Sequence, residues 1–371
     1  MATATELQTT PFHQFHIDHG GKLVDYSGWS MPLHYGSIID EHRQVRSSGG
    51  LFDVSHMGRL RFKGRDAVAF LDRLVTRNVV DMAPGQVRYG IVCNEQGGCR
   101  DDVLVYRVDE AECLMVCNAA NRIKIIDHVG ACKGTSVFKM TDETTTTAMV
   151  AVQGPNVMDL IGRFSRSIPD LKRYRFQTKQ VLIAKFLISR TGYTGEDGIE
   201  AILPRALASK AVKMMLGNLE EGQSVVKPCG LGARDSLRLE AGMALYGHEI
   251  DEHTDPLSAG LDFAVSLDKP GGFIGQEALQ KIQEAGPKTT LRGLLLEGRR
   301  AARQGMSVQA GSSVVGTITS GCLSPSLDAS IAMAHMQMDH AQVGTQVEVD
   351  LGRSTTPAVV CKLPFDYRSS S

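Results

Sequence analysis

The stretch that decides the fold is residues 89–106, Tyr-Gly-Ile-Val-Cys-Asn-Glu-Gln-Gly-Gly-Cys-Arg-Asp-Asp-Val-Leu-Val-Tyr. The polar, glycine-rich segment Asn94–Gly98 has turn chemistry, and the β-branched and aromatic side chains of Val103–Tyr106 are typical of a strand. Asp101 and Asp102 lie where the turn becomes the strand. Because successive strand residues point to opposite faces, only one of the two carboxylates faces the interior. A carboxylate there is costly unless it is hydrogen-bonded or paired with a cation, so it indicates either a turn cap or a functional site.

The composition sets the class of protein. A chain of 371 residues is too long for one ordinary core and predicts two or three domains. Its 42% hydrophobic and 22% charged residues are typical of a soluble globular protein. Forty basic and forty-one acidic residues leave a formal charge of -1, which provides no overall field to attract nucleic acid or an anionic membrane.

Cysteine usage and the first residues predict a cytoplasmic location. There is no Cys-x-x-Cys pair, and most cysteines lie in apolar surroundings, which favours buried free thiols over a disulfide framework. The first twenty-one residues contain no Lys or Arg and no long apolar run, which argues against a secretory signal or a mitochondrial presequence. No window approaches the roughly 18 apolar residues of a membrane span. The eight cysteines are Cys93, Cys99, Cys113, Cys117, Cys132, Cys229, Cys322 and Cys361.

Strands and helices alternate through the first two thirds of the chain. Ser37–Asp40 resembles a capping box and predicts a helix that ends at the following Gly49–Gly50 pair. Cys113–Val116 is expected to form a hairpin with the strand at residues 103–108, and Met149–Val152 reads as a strand followed by a turn and a helix. Val181–Ser189 reads as another buried strand. Since no regular βαβ period appears, the pattern favours an α+β fold over a doubly wound sheet.

From Arg292 onward the pattern changes to short strands separated by Gly, Ser and Pro, which predicts a small barrel or sandwich. Gly271–Gly272 and the region 283–288 are the candidate linker. We therefore expect a region 1–275, made of two α+β subdomains, and a C-terminal barrel domain at 290–371. The strand residues of this second part are Val308, Val314, Val315, Ile318, Ile331, Val343, Val347, Val349 and Val359–Lys362.

Several familiar signatures are missing. The sequence contains no Gly-x-Gly-x-x-Gly after a strand, no Walker A motif and no Gly-x-Ser-x-Gly elbow, so nothing supports a nucleotide-dependent enzyme or a serine hydrolase. His248 and His253 suggest a zinc motif but are five residues apart. On a helix that spacing turns the two imidazoles away from each other, whereas a zinc site needs convergent ligands.

Three segments carry functional chemistry, each beside a plain structural interpretation. Thr191–Glu200 is a loop with three glycines that allows close backbone approach to a ligand, or forms a simple hairpin. Gly232–Glu240 reads as a helix with Arg234 and Arg238 on one face, where they bind a ligand carboxylate or pair with nearby acids. Ser320–Leu327 reads as a loop of the C-terminal module, either functional or a barrel turn.

Six segments carry a resemblance to a known family: Gly28–Leu33, Phe52–Met57, Gly97–Asp102, the loop around Tyr193, Ala233–Arg238 and the Ser320 segment. Taken in order, they resemble the T-protein of the glycine cleavage system, an aminomethyltransferase family. They keep the family order and spacing from about residue 10 to residue 365. The resemblance implies an α+β, three-lobed folate-binding fold, with two interleaved α+β lobes and a C-terminal small β-barrel.

The resemblance also implies a reaction. Members transfer the methylene of an aminomethyl group, carried on the lipoyl arm of the H-protein, to tetrahydrofolate. The products are 5,10-methylenetetrahydrofolate, ammonia and dihydrolipoyl H-protein, and no metal takes part. The family's essential carboxylate maps to Asp101, where a fixed negative charge would stabilise the cationic one-carbon unit. The implied folate contacts are Met57, Tyr89, Asn118, Tyr193, Glu200, Arg234, Arg303 and Tyr367.

Departures from the family pattern keep alternatives open. Cys99–Arg100 stands where relatives usually have aliphatic residues, Phe263 where tryptophan is common, and Leu257–Ser258 where a Glu-containing step is usual. The alternatives are a tetrahydrofolate-dependent demethylase, a non-catalytic folate-binding relative, and a detached fragment of a flavin-dependent N-methylglycine oxidase. The missing Lys-Gly-Cys-Tyr motif argues against the non-catalytic relatives, and the missing dinucleotide fingerprint argues against independent oxidation.

Overall fold

The computed structural model describes residues 6–181, 184–217 and 224–367. A small three-stranded sheet opens the chain, with β3 between β1, which is parallel to it, and β2, which is antiparallel. The first elements are β1 (Gln8–Thr9), α1 (His13–Asp18), β2 (Lys22–Tyr26), β3 (Trp29–His34) and α2 (Ile38–Ser47). Helix α2 begins as predicted, because the Ser37 hydroxyl oxygen accepts the Asp40 backbone N–H at 3.2 Å and satisfies a free amide of the first turn.

A six-stranded sheet forms the first α+β lobe. Its strands are β4 (Gly50–Asp53), β10 (Thr147–Gln153), β11 (Phe176–Val181), β12 (Ala184–Ser189), β13 (Gly198–Pro204) and β14 (Lys227–Pro228). Their spatial order is β11-β12-β13-β10-β4-β14, antiparallel except for the β14–β4 pair. Helices α5 (Val157–Gly162) and α6 (Ala208–Leu216) pack on one face of this sheet.

A five-stranded antiparallel sheet forms the second lobe. Its strands are β5 (Gly58–Lys63), β6 (Val87–Cys93), β7 (Cys99–Asp109), β8 (Glu112–Cys117) and β9 (Lys139–Asp142), in the order β6-β7-β8-β5-β9. Helices α3 (Ala67–Leu74) and α4 (Arg122–Cys132) cover one face. Because β5–β9 lie in the chain between β4 and β10, the two lobes are interleaved, which confirms the predicted α+β arrangement.

Strand alternation decides which side chains of β7 face which layer. Val103 and Val105 pack into the core under α3 and α4. Leu104 and Tyr106 point the other way, into the core shared with the six-stranded sheet and α7 (Leu231–Glu240). Neighbouring residues of one strand thus serve two different layers, as the period of two requires.

The C-terminal part is a closed six-stranded barrel, as predicted, that follows α8 (Gln276–Ala285). Its strands are β15 (Thr289–Leu296), β16 (Ser307–Ala310), β17 (Ser313–Ser324), β18 (Ala329–Gln337), β19 (Gln346–Asp350) and β20 (Thr355–Cys361), in the order β15-β18-β17-β16-β19-β20. Closure pairs every strand edge and leaves no exposed ladder. The predicted boundaries at 1–275 and 290–371 stay a prediction.

A buried carboxylate joins the barrel to the first lobe. Oε2 of Glu240, at the end of α7, lies 2.9 Å from an Arg46 nitrogen and 3.0 Å from Nε2 of His42. The hydroxyls of Ser324 and Ser326 donate to its two oxygens at 2.5 and 2.9 Å. Burial alone would raise the pKa of Glu240, but the His42 bond, the Ser324 bond and the Arg46 charge hold it at about 2.

Two local predictions were wrong. Val181–Ser189 is not one buried strand: β11 ends at Val181, and β12, which starts at Ala184, is only half-buried along most of its length. Residues 320–324 are not a loop but the end of β17, and the turn follows at 325–328. Both segments contain residues compatible with either state, and strand pairing decided between them.

The cysteines and the helices bear on the remaining predictions. All eight cysteines, which lie within the described residues, are free thiols, and five of them are buried. Within the described ranges, no helix is both long and apolar enough to cross a membrane.

Candidate active site

Two adjacent carboxylates at the start of β7 are held by one amide. Nδ2 of Asn118 donates to Oδ1 of Asp101 at 2.8 Å and to Oδ1 of Asp102 at 2.6 Å. The Asn118 backbone N–H donates to Oδ2 of Asp101 at 3.0 Å, and Nδ2 of Asn121 donates to Oδ1 of Asp101 at 2.7 Å. Asn118 directly follows β8, the neighbour of β7, so strand pairing brings the amide to both acids.

The two carboxylates face different layers. Asp101 shares its face of β7 with Val103 and is fully buried on the side of α3 and α4. Asp102 shares its face with Leu104, whose cross-strand partner is Tyr89, and it is half-buried. The structure therefore places Asp102 with the predicted ligand contacts and Asp101 behind it.

Burial makes both acids harder to ionise. Burial, and next the charge of Asp102, raise the pKa of Asp101 to about 8, against the bonds from Asn118 and Asn121. Burial also raises the pKa of Asp102, against the bonds from Asn118 and Tyr89. Two negative charges this close disfavour each other, so the pair holds a proton more tightly than isolated aspartates do.

An aromatic wall adjoins Asp102. The Tyr89 hydroxyl donates to Oδ2 of Asp102 at 3.2 Å. Its ring stacks on Phe263, with ring centroids 5.9 Å apart and 19° between the planes. Burial and the charge of Asp102 raise the pKa of Tyr89, so its hydroxyl remains a neutral donor. Phe263 is 62% exposed, which leaves aromatic surface open beside the carboxylate.

A second group of predicted residues meets around Arg234. Its guanidinium carbon lies 4.8 Å from the centre of the Tyr193 ring, whose hydroxyl donates to the Ala244 carbonyl at 2.5 Å. Oε2 of buried Glu200 accepts from the Thr191 hydroxyl at 2.5 Å. Burial raises the pKa of Glu200, opposed by the Thr191 bond and the Arg234 charge. Nη1 of Arg234 is buried and has no hydrogen-bond partner among the described residues.

The two arginines of α7 have different roles. Arg238 is buried, and its guanidinium donates to Asp235 at 2.9 Å, Glu249 at 2.8 Å and Ser320 at 2.7 Å. The ion-pair interpretation is therefore right for Arg238. Arg234 keeps a buried donor unpaired, which costs free energy unless a ligand or water satisfies it.

Met57, Tyr367 and Arg303 are the remaining predicted residues, and each has different surroundings. Met57 is half-buried against the core between the two sheets. Tyr367 is buried, with the Arg46 guanidinium 4.1 Å from its ring centre. It therefore contacts one of the residues that bind Glu240. Arg303 is exposed, and within the described ranges no hydrogen bond or ring contact joins its side chain to the other predicted residues.

Three residues of this region were not predicted. Asn121 binds Asp101, and its position three residues after Asn118 was the available signal. The rings of His56 and Tyr26 lie 5.4 Å apart, edge to face, and the charge of Arg234 acts on both residues. His56 stood in the Phe52–Met57 motif without a role, whereas Tyr26 had no local signal.

The two histidines of the apparent zinc motif have structural contacts. Nδ1 of His248 lies 3.1 Å from the Thr319 carbonyl oxygen of the barrel, and the His253 backbone N–H donates to Asp251. Across the part of the chain that the structure describes, no three His, Cys, Asp or Glu residues are grouped as metal ligands.

The interleaved lobes, the closed barrel and the buried acid pair agree with an aminomethyltransferase, the class of protein that the sequence motifs predicted. The sequence pattern of the GCVT N-terminal domain matches residues 12–269, and that of the glycine cleavage T-protein C-terminal barrel domain matches 290–366. The chain belongs to the glycine cleavage T-protein family. It is an aminomethyltransferase of the glycine cleavage system, as the resemblance predicted.

Relatives cover nearly the full length. The aminomethyltransferase of Rubrobacter xylanophilus is 44% identical over 98% of this chain and 95% of its own, and that of Symbiobacterium thermophilum is 39% identical over 98% of both. The crystal structure of aminomethyltransferase T of the Bartonella henselae glycine cleavage system matches with a TM-score of 0.90. That match has 31% identity and covers 98% of this chain and 99% of the other.

Proposed function

We propose that Asp102 is the carboxylate that meets the reacting one-carbon unit, with tetrahydrofolate as acceptor and the lipoylated H-protein as donor. This assignment moves the catalytic role from Asp101, predicted from the sequence, to its neighbour. The observation that carries it is the shared face of Asp102 and Tyr89, joined by a hydrogen bond of 3.2 Å. Asp101 points to the opposite layer, where its hydrogen bonds come from Asn118 and Asn121.

The geometry of Asp102 suits the chemistry of aminomethyl transfer. Loss of ammonia leaves a positive charge on the one-carbon unit, and a fixed carboxylate lowers the energy of that charge. Asn118 and Tyr89 hold both oxygens of Asp102, so the group needs no reorientation during the reaction. The same carboxylate can accept the proton that the attacking amine releases. When bound, tetrahydrofolate supplies the amines that accept the methylene.

The residue types around Asp102 suit a reduced pterin. Tyr89 and Phe263 form a flat aromatic wall, and Glu200 can accept from the donor edge of the heterocycle. The unpaired Nη1 of Arg234 needs an acceptor, which a folate oxygen can provide. The Tyr193 ring contacts the Arg234 guanidinium, so this group is already oriented before the ligand binds.

The test is ammonia release from aminomethylated H-protein, with and without tetrahydrofolate, by the native chain, Asp101→Asn and Asp102→Asn. We expect Asp102→Asn to lose about a hundredfold or more in kcat, because it removes a charge that acts in the transition state. Asp101→Asn should retain more activity than Asp102→Asn. The reverse order would refute the assignment to Asp102 and restore Asp101 as the catalytic residue.

Thermal denaturation with tetrahydrofolate tests the pocket separately. Ligand that binds only the folded chain raises its melting temperature with concentration. The matched variant is Arg234→Met, which keeps much of the length of the side chain but removes its donors. No stabilisation of the native chain at saturating tetrahydrofolate would contradict the proposed acceptor.

The proposal places the enzyme in the cytoplasm, where free thiols such as its eight cysteines are stable.

A further inference from the structure

His56 is a buried imidazole that lacks a hydrogen-bond partner for Nδ1 among the described residues. It lies at the end of the Phe52–Met57 segment, between β4 and β5, and is 2% exposed. The Nδ1 atom of its ring is one of the few buried side-chain nitrogens in the described part of the chain without a hydrogen-bond partner. An unsatisfied buried polar group costs free energy, so such groups call for an explanation. Core packing alone would be served better by an apolar ring.

The surroundings of His56 link it to Arg234, one of the predicted ligand contacts. Its ring meets the edge of Tyr26 at 5.4 Å between centroids. Tyr26 in turn lies within the electrostatic influence of Arg234 and Asp102, and Arg234 acts directly on His56. Nδ1 of His56 and Nη1 of Arg234 are both buried without a hydrogen-bond partner among the described residues, and the charge of Arg234 acts on both His56 and its ring neighbour Tyr26. Two such unpaired nitrogens in one region indicate that a ligand binds both of them, through one atom or through two adjacent polar atoms.

His56 presents an uncharged ring at neutral pH. Burial lowers its pKa to about 4; the Asp53 carboxylate opposes this shift, and the Arg234 and Arg59 cations add to it. A neutral imidazole has one N–H donor and one acceptor nitrogen. It can therefore recognise a polar heterocycle without adding a second positive charge beside Arg234.

We propose that His56 is a specificity-determining contact of the folate site, which together with Arg234 binds the carbonyl-bearing edge of the pterin ring. The inference rests on the proposed use of tetrahydrofolate and adds a residue to it. Glu200, a carboxylate that is subject to the charge of Arg234, accepts from the N–H donors of the ring. The carbonyl oxygen next to those donors then falls to Arg234 and His56. The N–H donors of the ligand thus bind an acceptor, and its carbonyl acceptor binds donors, which distinguishes the pterin from rings with another arrangement of these groups.

The experiment is calorimetric titration of the native chain, His56→Phe and His56→Asn with two probes, tetrahydrofolate and 6-methyltetrahydropterin. Phenylalanine keeps the ring and its contact with Tyr26 but removes both nitrogens. We expect about tenfold weaker binding of both probes by His56→Phe, the loss of one hydrogen bond. His56→Asn, whose amide replaces Nδ1, should recover part of that loss.

His13→Phe is the matched control. Nδ1 of His13 is also buried without a partner, but this residue lines a surface groove with Arg205. Its replacement should leave both affinities unchanged.

Binding by His56→Phe within twofold of the native chain would overturn the inference while leaving the proposed function intact. So would a loss for tetrahydrofolate but not for the pterin probe, since it would place the contact on the ligand tail. Failure of the native chain to bind either probe would refute the proposed function and this inference together.

A measurement on the native chain decides the question even if His56→Phe does not fold. Nitrogen-15 NMR of labelled imidazoles reports tautomer and hydrogen bonding, and the His56 signal is assigned by its loss in His56→Asn. Addition of 6-methyltetrahydropterin should shift the His56 nitrogens and leave those of His13 unmoved. An unshifted His56 signal at saturation would overturn the inference.

Discussion

Replacing Asp102 by asparagine is expected to lower the pKa of Asp101, even though Asp101 keeps its own hydrogen-bond donors. The charge of Asp102 is, after burial, the largest cause of the raised pKa of Asp101. Asparagine has nearly the same shape but no charge, so Asp102→Asn removes the repulsion and leaves the packing in place. Asp101 should then ionise at lower pH.

The magnitude follows from the shared amide. Since Oδ1 of Asp101 and Oδ1 of Asp102 lie 2.8 and 2.6 Å from the same Asn118 nitrogen, the two oxygens are no more than about 5 Å apart. Two unit charges at that separation repel by about 3 kcal/mol at an effective dielectric constant of about 20. Because about 1.4 kcal/mol corresponds to one pH unit, the titration of Asp101 should fall by about two pH units from its value of about 8.

Carbon-13 NMR of carboxyl-labelled aspartate measures this titration without depending on activity. The Asp101 signal is assigned by its absence in Asp101→Asn and followed from pH 4 to pH 10 in the native chain and Asp102→Asn. The control is Asp109→Asn, which removes an exposed carboxylate from the far end of the same strand and should not move Asp101. An Asp101 titration that stays unchanged, or rises, in Asp102→Asn would refute the electrostatic coupling of the pair.

Two further predictions concern stability and the turn at residues 94–98. Glu240→Gln should destabilise the chain by about 3 kcal/mol at pH 7, since it removes the charge that binds His42 and Arg46 in a buried site. Because folding depresses the pKa of Glu240 to about 2, the difference from the native chain in urea unfolding should shrink as pH falls below about 4; a constant difference would contradict this origin. Gly98→Ala should lower both stability and ammonia release, because its Cβ would overlap the Glu252 carbonyl oxygen and displace the strand that carries the acid pair. Gly130→Ala, in α4 with open space around it, is the control, and equal effects of the two alanines would refute the steric explanation.

Local signals predicted the hairpins, the helix after Ser37 and the C-terminal barrel. These elements depend on turn residues, caps and strand alternation, which short segments of sequence contain. The same local logic was wrong for Ser320–Ser324, which pairs along β18 and so continues β17. Small polar residues fit a loop or a strand, and only the partner strand decides between them.

The acid pair shows the limit of pattern reasoning about the site. Alternation correctly predicted that Asp101 and Asp102 face opposite sides, but it could not tell which side is the cleft. The answer depends on α3 and α4 covering one face of the five-stranded sheet and the other lobe approaching the opposite face. Motif resemblance chose Asp101, whereas the packed layers favour Asp102.

Most helices and strands of this protein, and its family, could be predicted from the sequence, because periodicity, caps and motifs act over a few residues. Tertiary structure decided which residues of the site meet. Arg234 and Arg238 are equivalent in the sequence. In the structure, Glu249 and Ser320 accept hydrogen bonds from Arg238, whereas Arg234 keeps an unpaired donor. His56 became a candidate ligand contact only because the structure buries it and provides no hydrogen-bond partner for its Nδ1 among the described residues. Burial and long-range pairing set the free energy of each polar group, and neither is encoded within a short segment of the chain.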